Sequence, residues 1–259
     1  MSALRRKVDR RHVLGGLALL ALSRPLAAAS VETSSVEASE GPLSWTRYAA
    51  GGDAKRSAVV VLHGSRGLEL RLRAYERYAE ALAAEGIDAY LVRYFGPTDA
   101  DVLQKLTPSA SREAYEAGRY GAWTDRVSAA ATAILGRPDS SGRLGLLGFS
   151  LGGFVAAATA ARDDRVSALA VLYGGMPEKI APGVKRLPPL IELHGDADRN
   201  VPPADGEALV ALAKSVGAQA EHVIYPGKAH GFDFADHDPM TADAIQRVGR
   251  FFRERLVAG

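Results

Sequence analysis

From about residue 43 onward, the hydrophobic and polar positions follow two patterns, one typical of buried strands and one of helices. Continuous apolar runs indicate strands that are covered on both faces, because such strands need no polar side. These runs lie at residues 58–62, 87–95, 143–149, 166–173, 190–193 and 221–225. Alanine-rich stretches, or apolar residues at spacings of three and four, predict helices. They lie at residues 70–85, 123–135, 152–162 and 204–216, and in a closing stretch with Ile245, Val248, Phe252 and Leu256.

This alternation of strands and helices predicts one domain of the α/β class. Repeated strand–helix–strand units build a mostly parallel, doubly wound sheet that is flanked by helices on both faces. Neither an internal repeat nor a Pro/Gly-rich linker divides the chain after residue 43. We therefore expect residues 43–259 to form a single domain.

Residues 1–29 have a different pattern. A basic start that includes Arg10 and Arg11 precedes a ten-residue apolar run at 13–22, and three alanines at 27–29 form a cleavage site before Ser30. This arrangement predicts a cleaved signal peptide, and the apolar run is too short to be a stable membrane anchor. The arginine pair indicates a twin-arginine signal, whose partner is the twin-arginine export machinery; an ordinary secretory signal is the alternative. We expect cleavage near Ala29 and a periplasmic or secreted protein.

The segment after the signal is rich in serine and glutamate. Residues 30–42 contain two valines and no larger apolar side chain. Segments that cannot bury apolar surface tend to stay unfolded. This composition predicts a flexible linker at 30–42.

Removal of the signal changes the charge balance. It takes away six of the 32 Lys and Arg and one of the 30 Asp and Glu, which leaves 26 basic and 29 acidic side chains and a formal net charge of −3. No basic patch interleaved with aromatic residues remains, so we expect no nucleic-acid partner. The chain has no cysteine, which excludes a disulfide framework, a cysteine-ligated zinc site and a cysteine nucleophile.

The sequence Gly148-Phe-Ser150-Leu-Gly152 is the most informative motif. It fits the G-x-S-x-G pattern, in which a serine sits on a sharp strand-to-helix turn with its hydroxyl exposed. Glycines two residues before and after the serine relieve backbone crowding at such a turn. An apolar run precedes the motif and a small-residue helix follows it, so Ser150 is the candidate nucleophile.

A serine hydroxyl needs a neighbouring base that takes its proton. Four histidines follow Ser150 in the chain: His194, His222, His230 and His237. His230 is the preferred base because it lies in a loop after a predicted strand and precedes a glycine. His222 lies within a predicted strand, where we expect a structural role, and we expect solvent around His237.

The candidate acids follow the predicted strand 190–193. Both Asp196 and Asp198 then lie at the carboxyl end of a strand, where ligands bind in open α/β sheets. We choose Asp198 as the acid that orients His230. Asp196 is the alternative, and it could instead be a turn-forming aspartate.

Four motifs resemble those of the dienelactone hydrolase family of α/β-hydrolases. They are Leu62-His-Gly-Ser-Arg-Gly67, Gly148-Phe-Ser-Leu-Gly-Gly153, His194-Gly-x-x-Asp198-x-x-Val-Pro202 and Tyr225-x-x-x-x-His230-Gly-Phe232. The resemblance implies an α/β-hydrolase fold, with the acid at Asp198 and the base at His230. Dienelactone hydrolases proper use a cysteine where this chain has Ser150.

The resemblance also implies an acyl-transfer mechanism with two backbone donors for the oxyanion. One is the N–H of Leu151, directly after the nucleophile. The other is the N–H of Ser65, with that of Arg66 as the alternative. We expect His63 to be structural and to shape this loop.

Three other features are weaker candidates for function. The glycine-rich sequence 64–67 lacks the Lys-Ser/Thr of a phosphate loop. An acidic surface loop accounts for the Asp and His residues at 230–238 better than a metal site, so we expect no metal and no cofactor. Residues 96–121 are predicted to be a long polar loop that could act as a lid. Four residues could line an acyl pocket or simply pack there: Tyr94, Phe95, Arg119 and Tyr120.

The combined expectation is a secreted serine hydrolase that cleaves small carboxylic esters through an acyl-enzyme. The intervals of 48 residues from Ser150 to Asp198 and 32 from Asp198 to His230 leave no room for a cap domain. Two alternatives remain open: a serine peptidase of the same fold, and a catalytically silent binding protein of that fold.

Overall fold

The computed structural model describes residues 30–52, 54–107 and 109–257, and the predicted signal at 1–29 lies outside this part. The strands are β1 (Ser30–Ala38), β2 (Gly41–Ala49), β3 (Arg56–Leu62), β4 (Asp88–Val92), β5 (Ser140–Phe149), β6 (Val166–Leu172), β7 (Leu190–Gly195) and β8 (Ala220–Tyr225). The α-helices are α1 (Leu72–Ala84), α2 (Asp99–Lys105), α3 (Ser109–Leu135), α4 (Leu151–Arg162), α5 (Pro203–Ser215) and α6 (Pro239–Leu256).

All eight strands of the described part belong to one sheet, in the order β1-β2-β4-β3-β5-β6-β7-β8. The six strands β3 to β8 are parallel to one another, whereas β2 runs antiparallel to both β1 and β4. The predicted mostly parallel sheet is therefore confirmed. Every predicted strand and helix corresponds to an observed one, with shifts of a few residues at most ends and a longer α3.

Apolar side chains fill the space on both faces of the sheet, so the sheet is doubly wound. On one face, Val60 of β3 belongs to a core with Trp123 of α3 and Leu209 of α5. On the other, Val59 belongs to a core with Tyr78 of α1 and further side chains of α6. Burial on both faces explains why the central strands are continuous apolar runs.

The flexible linker predicted at residues 30–42 is wrong, because most of this segment is strand β1 and the start of β2. Strand β1 pairs with β2 along its whole length, so this segment, which precedes the domain start expected at residue 43, is part of the sheet. Strands β1 and β2 form a hairpin, and α3 also holds this hairpin in place: the buried guanidinium of Arg126 donates hydrogen bonds to the carbonyl oxygens of Gly41 and Pro42 at 3.0 Å. Backbone pairing and the hydrogen bonds from Arg126 stabilise residues 30–42, whose polar side chains bury little apolar surface.

The long loop predicted at residues 96–121 is also wrong, since α2 and the first half of α3 occupy most of it. The fully buried carboxylate of Asp99 organises this region. It accepts hydrogen bonds from the Gly96 N–H at 2.6 Å, the Tyr115 hydroxyl at 2.6 Å and the Trp123 indole N–H at 2.7 Å. A polar segment can therefore form stable helices when buried hydrogen bonds hold those helices against the core.

The arrangement brings the loops after β3, β5, β6, β7 and β8 to one edge of the sheet, because these strands are parallel. Ligands bind at this carboxyl edge in open α/β sheets. Within the described ranges the chain contains no separate cap domain, and none of its helices is both long and apolar enough to cross a membrane.

Candidate active site

Ser150 lies at the sharp turn between β5 and α4, in a strained backbone conformation with φ 54° and ψ −122°. The two flanking glycines are needed for steric reasons. A Cβ atom on Gly148 would lie 2.2 Å from the carbonyl oxygen of Gly152, and a Cβ atom on Gly152 would lie 2.3 Å from the carbonyl oxygen of Leu62. Backbone strain of this kind is common at functional sites. The turn has the geometry that the motif predicts.

The structure brings Ser150, His230 and Asp198 together from three different loops. Oγ of Ser150 lies 2.9 Å from Nε2 of His230, and Nδ1 of the same ring lies 2.7 Å from Oδ2 of Asp198. Both distances are within the range of hydrogen bonds. The imidazole therefore bridges a hydroxyl and a carboxylate with its two nitrogens.

Asp198 is buried and surrounded by donors. Its Oδ1 accepts hydrogen bonds from the N–H of Asn200 at 2.8 Å and of Val201 at 3.0 Å. Burial raises the pKa of this carboxyl, but the contacts from His194, His230 and these backbone groups outweigh it and hold the pKa well below the usual range. The side chain is consequently an anion over the whole physiological range.

Asp196, the alternative acid, has a different partner. Its side chain is exposed, and its Oδ1 accepts a hydrogen bond from the N–H of Gly227 at 2.6 Å. That contact ties the loop after β7 to the loop that carries His230. The structure thus places Asp198, and not Asp196, against His230.

The loop after β3 approaches the serine from the other side. A Cβ atom on Gly64 would lie 3.4 Å from Cβ of Ser150, so this loop passes close to the nucleophile. The predicted oxyanion residues Ser65 and Leu151 both border the same cavity as Ser150 and His230. The structure brings together all five residues that the sequence singled out as an active site.

His63 is buried beneath this loop. Its Nδ1 lies 2.8 Å from the carbonyl oxygen of Gly64, and its ring stacks on Tyr94 with 4.5 Å between the ring centroids. Burial lowers its pKa to about 4. A neutral, stacked imidazole of this kind agrees with a structural role in shaping the loop.

An open cavity of about 1280 Å³ lies above Ser150. The first half of α3 forms one wall, including Tyr120 and Glu116, and burial raises the pKa of the Glu116 carboxyl to about 7. Several basic side chains border the cavity: Arg66, Arg71, Arg112, Arg162, Lys179 and Arg199. The cavity is large enough for a small ester.

Only one of the four residues considered for an acyl pocket borders the cavity, and it is Tyr120. Tyr94 and Phe95 pack around the ring of His63 instead. Arg119 forms ion pairs with Glu40 in the β1–β2 turn and with Asp99. These three residues hold the cavity wall in place without lining it.

The acidic segment after His230 does not assemble into a metal site. Asp233 is fully buried, contrary to the expected surface position, and accepts hydrogen bonds from the hydroxyls of Tyr78 and Tyr173 at 2.9 and 2.8 Å. Asp236 pairs with Arg77, and Asp238 pairs with a lysine and caps α6. In the part of the chain that the structure describes, no group of three or more His, Asp or Glu side chains could hold a metal ion.

Two residues close to Asp198 received no role from the sequence: Glu192, which was not considered, and His194, which was one of the four histidines that follow Ser150. Both are completely buried on β7, and Oε1 of Glu192 lies 2.9 Å from Nδ1 of His194. A glutamate within an otherwise apolar buried strand was the available signal, because buried carboxylates are rare unless they are paired.

Comparison with known proteins relates this geometry to a family. A protein of Methylorubrum extorquens that is provisionally named a carboxymethylenebutenolidase is 29% identical over an alignment of 139 residues, and the alignment covers 48% of this chain and 46% of that protein. The match to this curated relative thus spans about half of its length.

Two solved structures share the fold. A dienelactone hydrolase from Anabaena variabilis has a TM-score of 0.70 at 22% identity, over 89% of this chain and all of that one. An esterase from Pyrobaculum calidifontis has a TM-score of 0.68 at 20% identity, over 89% of this chain and 86% of that one. Residues 46–256 match the sequence model of one family, and they include the turn at Ser150 and both of its partners. The chain belongs to the dienelactone hydrolase family.

Proposed function

We propose that this protein is a serine hydrolase that cleaves small carboxylic esters. The observation that carries the proposal is the hydrogen-bonded series from Ser150 through His230 to Asp198 at the floor of an open cavity. Such a series suits acyl transfer because it joins a nucleophile to a base and the base to an orienting anion. Membership of the dienelactone hydrolase family supports the same class of reaction.

In this mechanism Nε2 of His230 takes the proton of the Ser150 hydroxyl as Oγ attacks the ester carbonyl carbon. Asp198 holds the imidazole in the required tautomer and stabilises its cation. The tetrahedral intermediate then collapses, His230 gives its proton to the departing alkoxide, and the acyl group stays on Oγ. A water molecule, activated by the same imidazole, attacks the acyl-enzyme and releases the carboxylic acid.

The oxyanion needs donors that already point at its position. Removal of one such donor typically costs about 3 kcal/mol of transition-state stabilisation. Leu151 is the first residue of α4, so its N–H has no acceptor within the helix. The N–H of Ser65 is the proposed second donor. Because both donors belong to the backbone, Ser65→Ala should keep most of the activity.

We favour small esters over peptides as substrates because no inserted domain covers the site. The chain between Ser150 and His230 consists of α4, β6, β7, α5 and β8 with their connections, and contains no inserted domain. Peptide cleavage uses extended contacts to the substrate and stronger protonation of the leaving amine than ester cleavage requires. A site without such contacts should therefore favour activated esters with short acyl chains.

The proposal includes export by the twin-arginine route, with cleavage near Ala29. It rests on the arginine pair, the short apolar run and the alanines of residues 1–29. The mature protein would then act on its ester in the periplasm or outside the cell.

The test is a substrate panel on the purified protein. p-Nitrophenyl acetate should be hydrolysed, with rates that decline as the acyl chain lengthens, and a fluorophosphonate probe should label the wild type but not Ser150→Ala. Efficient cleavage of unactivated peptides with no esterase activity would replace the proposal with a peptidase. Absence of both labelling and turnover would indicate a catalytically silent binding protein.

A further inference from the structure

A second histidine lies directly behind the proposed triad acid. His194 is fully buried at the carboxyl end of β7. Its Nε2 lies 3.1 Å from the carbonyl oxygen of Val201 and 3.4 Å from Oδ2 of Asp198, the same oxygen that faces His230. Its Nδ1 lies 2.9 Å from Oε1 of Glu192. The ring of His194 therefore bridges two buried carboxylates.

These neighbours determine the protonation of His194. Nε2 faces only acceptors, the carbonyl of Val201 and the carboxylate of Asp198, so it must carry a hydrogen. Nδ1 faces a carboxylate oxygen, which is also an acceptor while Glu192 is ionised. An ionised Glu192 therefore requires a hydrogen on both nitrogens, which makes the ring an imidazolium.

The electrostatic surroundings favour that cation. Burial by itself lowers the pKa of His194, but the contacts with Asp198 and Glu192 outweigh it and raise the pKa to about 10. Asp205 on α5 is a further acidic group close enough to interact with this ring. His222 on β8 faces the other oxygen of Glu192, with 2.9 Å between Nε2 and Oε2.

The fold makes specific room for the carboxylate of Glu192. A Cβ atom on Gly206 of α5 would lie 2.6 Å from the carboxyl carbon of Glu192, so a larger residue there would have to displace that carboxylate. A buried carboxylate is costly unless it is paired, and here the pairing comes from Oε1, which lies 2.9 Å from Nδ1 of His194, whereas Oε2 makes no hydrogen bond with the residues that the structure describes. Glu192, His194 and Asp198 form one continuous polar layer under the active site.

We propose that His194 is a positioning residue for the proposed hydrolysis: an imidazolium, held by Glu192, that fixes the orientation and the charge of Asp198. The proposal rests on the proposed roles of Ser150, His230 and Asp198. It extends the series of contacts by two buried residues that touch neither the substrate nor the reacting atoms.

A cation beside Asp198 weakens the hold of this carboxylate on a proton at His230, because part of the negative charge is compensated. Without that cation, His230 would keep its proton to higher pH and would act as a base only at higher pH. Replacement of His194 should therefore move the acid limb of the pH profile of kcat/KM, which is its rise on the low-pH side, to higher pH. A purely structural histidine would lower activity without moving the limb.

The direct test is side-chain nitrogen NMR of the full-length protein labelled at histidine. At pH 8 the ring of His194, identified by its contacts to Val201 and its loss in His194→Gln, should show two protonated nitrogens. A neutral ring at pH 8 would overturn the proposal. This measurement does not depend on turnover, so it stays informative even if the esterase proposal fails.

The second arm is the pH dependence of kcat/KM for p-nitrophenyl acetate. In His194→Gln the acid limb should move up by on the order of half a pH unit or more. His194→Asn also removes the imidazolium, should move the limb in the same direction and serves if His194→Gln does not fold. The matched control is Lys214→Gln, which removes an equal positive charge at an exposed position of α5 and should leave the limb in place. A folded variant with reduced kcat and an unmoved limb would overturn the proposal.

Discussion

Oδ2 of Asp198 lies 2.7 Å from Nδ1 of His230, whereas the carboxylate of Asp196, two residues earlier, accepts a hydrogen bond from the N–H of Gly227. Asp198→Asn should lower kcat for p-nitrophenyl acetate by on the order of 10⁴, because an amide no longer selects the productive tautomer of the imidazole. Asp196→Asn should change kcat by less than about tenfold, since it alters only a loop contact. Steady-state kinetics of the two variants decide the matter, and a larger loss in Asp196→Asn would move the acid to that residue.

Gly148→Ala should destabilise the protein and disable the serine. Its Cβ atom would lie 2.2 Å from the carbonyl oxygen of Gly152, so the turn would have to open. Overpacking of this kind costs about 3 kcal/mol in the free energy of unfolding, and it would also displace the Ser150 hydroxyl. The matched control is Gly118→Ala on α3, where a Cβ atom meets nothing within 4 Å and a helix gains about 1 kcal/mol from alanine. Chemical denaturation of both variants measures the difference, and equal stability would contradict the steric account.

The central strands and their helices were predictable because their patterns are direct consequences of burial. Residues 58–62 of β3 are all apolar since both faces of the strand are covered, and the turn at Ser150 has its own motif. The N-terminal hairpin and α2 were not predictable in this way. Strand β1 is stabilised by pairing with β2 and by Arg126, and α2 by the hydrogen bonds of Asp99, none of which leaves an apolar pattern.

The same distinction holds within the site. Ser150, Asp198 and His230 could be chosen from the sequence because each lies in a motif of its own. A role for Glu192 and His194 can be inferred only from their contacts in the folded protein, which for Glu192 include Gly206 on α5 and His222 on β8. Spacing along the chain does not encode such contacts.

The charge of His194 should also be visible in the stability of the protein. Its pKa in the folded state is about 10, above the ordinary value of 6.5, so the folded state holds a proton that the unfolded state releases between these values. Stability from this group is fully present below about pH 6.5 and is lost as pH rises toward 10, by at most about 1.4 kcal/mol per pH unit. Denaturant unfolding of the wild type and His194→Gln at pH 6, 7, 8 and 9 should show a difference that narrows with pH. A difference that stays constant would contradict the imidazolium.

The proposed export is tested by conservative replacement of arginines in the proposed signal. Arg10→Lys with Arg11→Lys should leave the precursor in the cytoplasm, because the twin-arginine receptor reads the pair as an address. Arg5→Lys with Arg6→Lys keeps the same charge outside the motif and is the control that should still be exported. Cell fractionation and sequencing of the mature N-terminus, expected at or near Ser30, provide the measurement. Unchanged export of the first variant would indicate the general secretory route.

The turnover of p-nitrophenyl acetate by the wild type, Ser150→Ala and His230→Ala tests the central claim most directly. Oγ of Ser150 and Nε2 of His230 are 2.9 Å apart and are proposed to act as one unit. Each single variant should therefore lose at least about 10³ in kcat, and the double variant should be little worse than either. Near-normal turnover by Ser150→Ala would contradict the account.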